Sequence, residues 1–459
     1  MLIQGRKTRW GGVADGQFRP HGYFQITKHD GIFWLVDPDG GRFLSKGINT
    51  VRVDQDRIQN SSCIPYAETC ARKYGSVTAW RAAIAQRLSQ WGFNTLGAWS
   101  DEAVATAGSV PLALTPILDL GMSYGWQNDA QQEDEVKQEF PDVFEPDFGD
   151  HIRSRAHRLC GKQNKNKNIL GWFIDNELCW GPDWRGSEEL LTLFLNLDLR
   201  SAGRSAAFAW LRDCYPSFER FNSVWRTPAQ SWDEFGRLKQ IDAPYRRKPI
   251  FERGAADEEA ANRTDPRRAA FTGDCDAFAV LVAKRYFALT AAAISAADKN
   301  HLVLGCRFAY HPSRGVVDAA ARYCDVLSFN CYNRDASSAI ATYAESKKPC
   351  LIGEFSFRGA DSGLPNTNGA GPLVATQAER AASFRQYVTV ALQRRTVVGY
   401  HWFEHADQPA AGRFDGENSN FGTVTIDDRV YEDLTKAMTS MNAEAEELHA
   451  AAAAAGSFA

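Results

Sequence analysis

The chain has 459 residues, 44% of them hydrophobic and 24% charged, a composition that supports a large buried core and excludes a disordered or collagen-like polypeptide. Fifty-two lysines and arginines against 56 aspartates and glutamates leave a formal charge of −4; without a dense basic run, this argues against a nucleic-acid partner. The length fits either about three domains or one elaborated barrel.

The amino terminus, MLIQGRKTRWGG, lacks the apolar stretch of about 7–15 residues that marks a secretory signal, and no segment reaches the roughly 18 apolar residues of a membrane span. The chain therefore reads as soluble with no membrane partner, cytoplasmic as it stands, and secreted or periplasmic if a leader has been removed. Residues 10–42 alternate apolar and polar side chains around the turn signals His29-Asp30-Gly31 and Pro38-Asp39-Gly40-Gly41. That pattern predicts a β-hairpin, with residues 1–42 as an extension packed on the rest.

Eight short apolar runs follow, at Phe43–Val51, Asn94–Ala98, Leu112–Asp119, Ile169–Ile174, Leu302–Phe308, Val326–Asn330, Pro349–Phe355 and Val397–Phe403. Helical spacing separates several of them. Ile84, Leu88 and Trp91 precede the second run; Phe278, Leu281, Val282, Tyr286 and Leu289 precede the fifth; Phe384, Tyr387, Val388 and Leu392 precede the eighth. Thr376 with Glu379 forms a capping box, and Leu434, Met438, Met441, Ala445 and Leu448 mark a closing helix. Strands alternating with helices imply an α/β protein with a parallel sheet. Eight runs that are apolar on both faces favour a single (β/α)8 TIM barrel over residues 43–459, rather than an open doubly wound sheet. Residues 178–300 exceed what one crossover needs, which predicts an insertion at 178–274. No internal repeat appears, and the only low-complexity stretch is the alanine-rich end after Ala450. Among the ten cysteines, Cys306, Cys331 and Cys350 lie in apolar runs and read as small hydrophobes. Cys63 and Cys70 lie in a polar stretch, where a pair and two reduced thiols both remain open.

Barrel enzymes place their chemistry at the carboxyl ends of strands, so the polar residues that end apolar runs carry the information. Glu177 ends the fourth run in ILGWFIDNELCWG, and Glu354 lies near the end of the seventh in KPCLIGEFSFRG. A carboxylate directly after buried sequence is costly unless something pairs or uses it. Each glutamate alone reads more often as a salt-bridged or surface residue, but as a pair on strands four and seven they would face each other across the barrel mouth. Two opposed carboxyl groups, one protonated and one ionised, are what glycoside hydrolysis requires. A separation of about 5–5.5 Å would imply retention of configuration.

With Asn176-Glu177 after strand four and Glu354 after strand seven, the chain resembles the large retaining superfamily (clan A) of (β/α)8-barrel glycoside hydrolases. The resemblance implies Glu177 as general acid/base, Glu354 as nucleophile and Asn176 as partner of the sugar 2-hydroxyl. FAWLRDCYPSFERFNSVWRTPAQSWDEF (Phe208–Phe235) looks like the inserted region of β-galactosidases and β-agarases. GYFQITKHDGIFWLVDPDGGRFLSKGINTVR looks like the start of the β-agarase barrel, with Asn49 and Arg52 at the end of strand one. The implied activity is retaining hydrolysis of β-galactosidic bonds in agarose-type or other galactose-containing oligosaccharides or polysaccharides. Action on β-glucosides or β-mannosides, a non-catalytic sugar-binding barrel, and self-association all stay open.

The same resemblance makes Trp402 the platform under the sugar and Tyr332 a hydrogen-bond partner of the nucleophile; an ordinary core role is the alternative for each. Trp99, Arg307, His311 and Asn330 are further sugar-contact candidates, while Trp180, Trp184, Glu404 and His405 are candidates for outer subsites and the loop Arg413–Asn420 for their wall. HWFEH (His401–His405) fits the H-x-x-E-H pattern of a zinc peptidase, but that motif needs a helix to bring both histidines to one metal. Here it follows the strand-like TVVGY. No glycine-rich phosphate loop and no CxxC appears, so neither metal nor cofactor is expected.

Overall fold

The computed structural model describes residues 6–128, 140–249 and 255–452; the first five residues and the last seven, in the alanine-rich end, lie outside them. The apolar runs pair in parallel, as their two-sided burial demands. Seven strands form one sheet in the order Phe308–Ala309, Leu327–Asn330, Cys350–Phe355, Val397–Trp402, Ser45–Ile48, Thr95–Leu96 and Ala113–Leu114. Every adjacent pair in it is parallel. A separate parallel pair joins Gly171–Trp172 to Leu302–Val303, and single parallel bridges link Leu114 to Ile169 and Ile117 to Phe173. The ladder is thus a seven-stranded sheet plus a pair rather than one continuous ring.

Helices cover this sheet, and their ends follow from local chemistry. Val77–Gln90 starts at Ser76, whose Oγ accepts the Ala79 N–H at 3.1 Å, and it buries Trp80, Ile84 and Leu88. Gln377–Leu392 starts at Thr376, which accepts the Glu379 N–H at 3.2 Å, while Glu379 accepts the Ala375 N–H at 2.9 Å. The 32-residue helix Pro266–Ala297 is capped by Asp265 and buries Phe278, Val282 and Tyr286. Leu281 on the same helix is exposed, so the apolar stripe is narrower than its sequence spacing implied. One 18-residue window of this helix is apolar enough to cross a membrane, and 56% of it is buried inside the fold. The closing helix Glu432–Ala451 buries Leu434, Met438, Met441 and Ala445.

Short helices between 190 and 237 hold an aromatic cluster in which Phe221 contacts Trp225, Trp232 and Phe235. Trp225 meets Phe271 on the long helix, which fastens this segment to the main body. At the amino end, Gln25–His29 and Ile32–Val36 form an antiparallel hairpin inside a five-stranded sheet. Its turn, Asp30-Gly31, has φ values of 50° and 78°, the doubly positive conformation that tight hairpins use. All ten cysteines are free thiols: Cys63 donates weakly to Glu68 and Cys70 is buried.

Candidate active site

The fourth apolar run ends in a change from buried to polar chain. Gly171 to Asp175 are buried, while Asn176 and Glu177 are half-buried. Asp175 accepts backbone N–H groups of Gly121 at 2.7 Å and Met122 at 3.0 Å, together with the Tyr286 hydroxyl. These bonds anchor the strand end; burial, reinforced by Asp119, pushes the Asp175 carboxyl up to about 7. Two residues on, Glu177 takes a left-handed φ of 48° and its N–H donates to the Arg307 carbonyl at 3.2 Å.

Glu177 accepts from the Asn330 side-chain amide at 2.8 Å and from the Trp184 indole N–H at 3.0 Å. Burial and then the charge of Glu354 raise its carboxyl to about 7, so at neutral pH a large fraction of it keeps its proton. Glu354 has different neighbours: Arg307 Nη2 donates to its Oε1, and the Tyr332 hydroxyl donates to Oε2 at 2.6 Å. A guanidinium and a phenol, both donors, suit an ionised carboxylate.

One hydrogen-bonded chain joins the two glutamates. From Glu177 it passes to Asn330, whose Nδ2 also donates to Asn176 Oδ1 at 3.1 Å, and then to Arg307, whose Nε donates to the same oxygen at 2.9 Å. Arg307 then reaches Glu354. Its guanidinium is fully buried between the rings of Trp99, at 4.9 Å, and Phe173, at 4.8 Å. Gly353 leaves room for this network, because a Cβ there would stand 2.8 Å from Asn330 Oδ1 and 3.3 Å from Arg307 Nη1. Six residues singled out from sequence, Asn176, Glu177, Arg307, Asn330, Tyr332 and Glu354, therefore meet in one cluster, and Trp99 stacks on it.

Trp184 also belongs there: it is 59% exposed and touches Glu177 directly. His311 is half-buried, stacks on Tyr310 at 4.6 Å, and lines a cleft of about 410 Å³ that begins at Leu178. Trp180 lines the same cleft but is buried, packed against Phe140, Tyr286 and Phe287. Arg52 points to Asp54, with two contacts of 2.8 Å, and joins no part of the cluster.

Four expectations need correction. Trp402 is fully buried, its indole donates to the Phe421 carbonyl at 2.9 Å, and it packs on Phe355 and Phe384. Strand alternation is the reason: His401 turns inward to Ser45 Oγ at 2.8 Å, so its neighbour faces the helices. Asn49 is fully buried and ties strands together by donating to the Gly353 and Trp402 carbonyls. Glu404 is buried, receives Gln408 Nε2 at 3.3 Å and faces Arg413 at 3.9 Å, so it braces the loop Arg413–Asn420 from beneath. His405 is buried against the Tyr66 hydroxyl at 3.2 Å. His401 and His405 therefore serve separate partners, which removes the shared metal of the peptidase motif.

Replacing Trp402 by Phe is expected to lower stability by about 1–3 kcal/mol through the lost indole bond and ring volume, read by chemical denaturation. Weakened substrate binding with unaltered stability would restore Trp402 to the binding surface.

Asp119, Asp175 and Phe403 were not singled out from sequence. Asp119 ends the third run as Glu177 ends the fourth; it is half-buried with a φ of 49°, and burial raises its carboxyl although Arg155 and Arg307 oppose the shift. Its position at the end of an apolar run was the available signal. Phe403, just past the last strand, meets edge-on at 6.3 Å the ring of Tyr332, whose hydroxyl donates to Glu354.

No family model matches the chain. Its homologues are β-agarases: β-agarase B of Vibrio sp. (strain JT0107) is 27% identical over 499 aligned residues, covering 94% of this chain and 49% of the relative. β-Agarase A of the same strain is 28% identical over 479 aligned residues, covering 90% and 44%. The chain thus spans about half the length of the curated relatives it matches. Among solved structures, PfGH50B superposes with a TM-score of 0.74 at 25% identity, over 98% of this chain and 70% of that one. An exo-β-agarase gives a TM-score of 0.75 at 23% identity, over 96% and 68%, a likeness of fold.

Proposed function

We propose that this chain is a glycoside hydrolase acting on β-glycosidic bonds of agarose-type polysaccharide or oligosaccharide by retaining double displacement. The observation that carries the reading is the pair of glutamates joined through Asn330, Asn176 and Arg307 yet held in contrasting surroundings. β-Agarase relatives over nearly the whole chain support it. The parallel bridges at Leu114–Ile169 and Ile117–Phe173, with Leu302–Val303 pairing to Gly171–Trp172 and Phe308–Ala309 to Leu327–Asn330, support a closed eight-stranded barrel as the frame.

In this reading, Glu354 attacks the anomeric carbon while Glu177 gives its proton to the departing glycosidic oxygen. The C–O bond to the leaving sugar breaks and an ester to Glu354 forms. Glu177, now a carboxylate, then takes a proton from water as the water oxygen attacks the same carbon and releases Glu354. Arg307 and Tyr332 hold Glu354 in place between the two steps, and Asn330 and Trp184 orient Glu177. The Asn176 amide, fixed through its oxygen by Arg307 and Asn330, is left to meet the sugar 2-hydroxyl.

A general acid works only while protonated. Because burial and Glu354 raise Glu177 to about 7, kcat/KM is expected to fall as pH rises through about 7, with Asp175 titrating nearby. In Glu177→Gln, hydrolysis of an aryl glycoside whose leaving group needs no proton should lose this alkaline limb. A limb that persists unchanged in that variant would assign it to another group.

A further inference from the structure

We propose that the exposed face of Trp184 is the platform on which the departing sugar stacks, an assignment that rests on Glu177 being the general acid of the reading above. Trp184 sits at the tip of a tight turn. Asp183 and Gly186 exchange backbone hydrogen bonds of 3.1 and 3.0 Å, and Gly186 takes a φ of 156°, which residues with side chains rarely adopt. Both carboxylate oxygens of Asp183 accept from Arg185 Nε at 3.1 Å. The guanidinium held in this way lies 5.2 Å from the centre of the Trp184 ring. The ring is thereby backed by a fixed cation, yet 59% of the residue stays exposed.

Distances tie this ring to the reaction. Of the two Glu177 oxygens, Oε1 is committed inward: it accepts at 2.8 Å from the amide of Asn330, a buried residue that also serves Asn176. Oε2 is on the exposed side, where the Trp184 indole N–H donates to it at 3.0 Å. Oε2 is therefore the oxygen that hands its proton to the sugar. A general acid stands within about 3.2 Å of the oxygen it protonates, so the indole nitrogen and the glycosidic oxygen lie no more than about 6 Å apart. The sugar ring joined to that oxygen on the leaving side then lies against the indole. An indole face left in water gains by covering the C–H face of a sugar, and its N–H remains on the acid meanwhile.

The test varies the leaving group. In the full chain, Trp184→Ala is expected to lower kcat/KM on an agarose-derived hexasaccharide by roughly 10- to 100-fold, the worth of covering one aromatic side chain. The β-glycosyl fluoride of the same glycone replaces the departing sugar by a single atom with no ring to stack, and its kcat/KM should fall by less than about 3-fold. Trp184→Phe keeps a flat ring without the N–H and should restore most of the hexasaccharide activity. The thermal midpoint should hold in both variants, because the ring is exposed. Equal losses on the two substrates, or a phenylalanine no better than alanine, overturn the inference, since Trp184 would then act only through Glu177 or the fold. A binding measurement separates this site from catalysis: added to Glu354→Gln, Trp184→Ala should weaken the calorimetric Kd of the hexasaccharide by roughly 10-fold, and an unchanged Kd also overturns the inference. Weakened binding in a protein whose parent hydrolyses nothing would keep the stacking face and sink the catalytic reading instead.

Discussion

Glu354→Gln lowers kcat by about 10⁴-fold or more, because an amide cannot form the ester through which double displacement proceeds. Glu177→Gln lowers kcat by about 10²–10⁴-fold on a substrate with a sugar leaving group, the usual worth of a general acid. The two variants should then diverge. Glu177→Gln keeps the nucleophile, so an activated aryl glycoside still forms the ester and accumulates it, and a small anion such as azide restores turnover by attacking in place of water. Glu354→Gln shows neither behaviour with that substrate. Steady-state and burst kinetics on both substrates measure this, and equal activity losses on both substrates in both variants would contradict the division of roles. Each glutamine keeps the acceptor oxygen and the volume of the parent side chain, so the fold should survive.

Arg307 carries the second large effect. It is the buried cation against Glu354, stacked between Trp99 and Phe173, and it fixes Asn176 through Nε. Arg307→Met leaves Glu354 buried without its counter-charge, a change that costs about 3–5 kcal/mol of stability when one member of a buried pair is removed. Arg307→Lys keeps the charge but has no planar fork, so it cannot serve Asn176 and Glu354 together. It is expected to lose on the order of 10²-fold in kcat with a smaller stability loss than Met, the scale of one misplaced electrostatic partner. Denaturation midpoints and kcat for the two variants check this. Lysine restoring full activity would show that charge alone, and not the fork, is what the site uses.

The two glutamates were legible in the sequence because each is a charged residue set directly against buried apolar chain, where a carboxylate needs a reason to exist. The parallel α/β class was legible for a similar reason, since runs such as Val397–Trp402 are apolar on both faces. That same uniformity hid the phase of the last strand. With every residue from Val397 to Trp402 buried, nothing in the pattern says that His401 faces inward and Trp402 outward. Asn49 was misread likewise, as a strand-end polar group whose partners, the Gly353 and Trp402 carbonyls, lie more than 300 positions away. The role of Arg307 depends on Asn176, 131 positions away, and on Glu354, 47 away. No local pattern carries such contacts. Asp119 ends the third apolar run as Glu177 ends the fourth, so the same strand-end signal marks it.

The most direct measurement is proton NMR of a fresh digest of agarose-derived oligosaccharide, following the anomeric signal of the new reducing end before mutarotation. The β-anomer should appear first and the α-anomer should grow in later, as two displacements at one carbon require. An α-anomer that appears first would contradict Glu354 as a nucleophile, and an oligosaccharide that stays intact would contradict the activity itself.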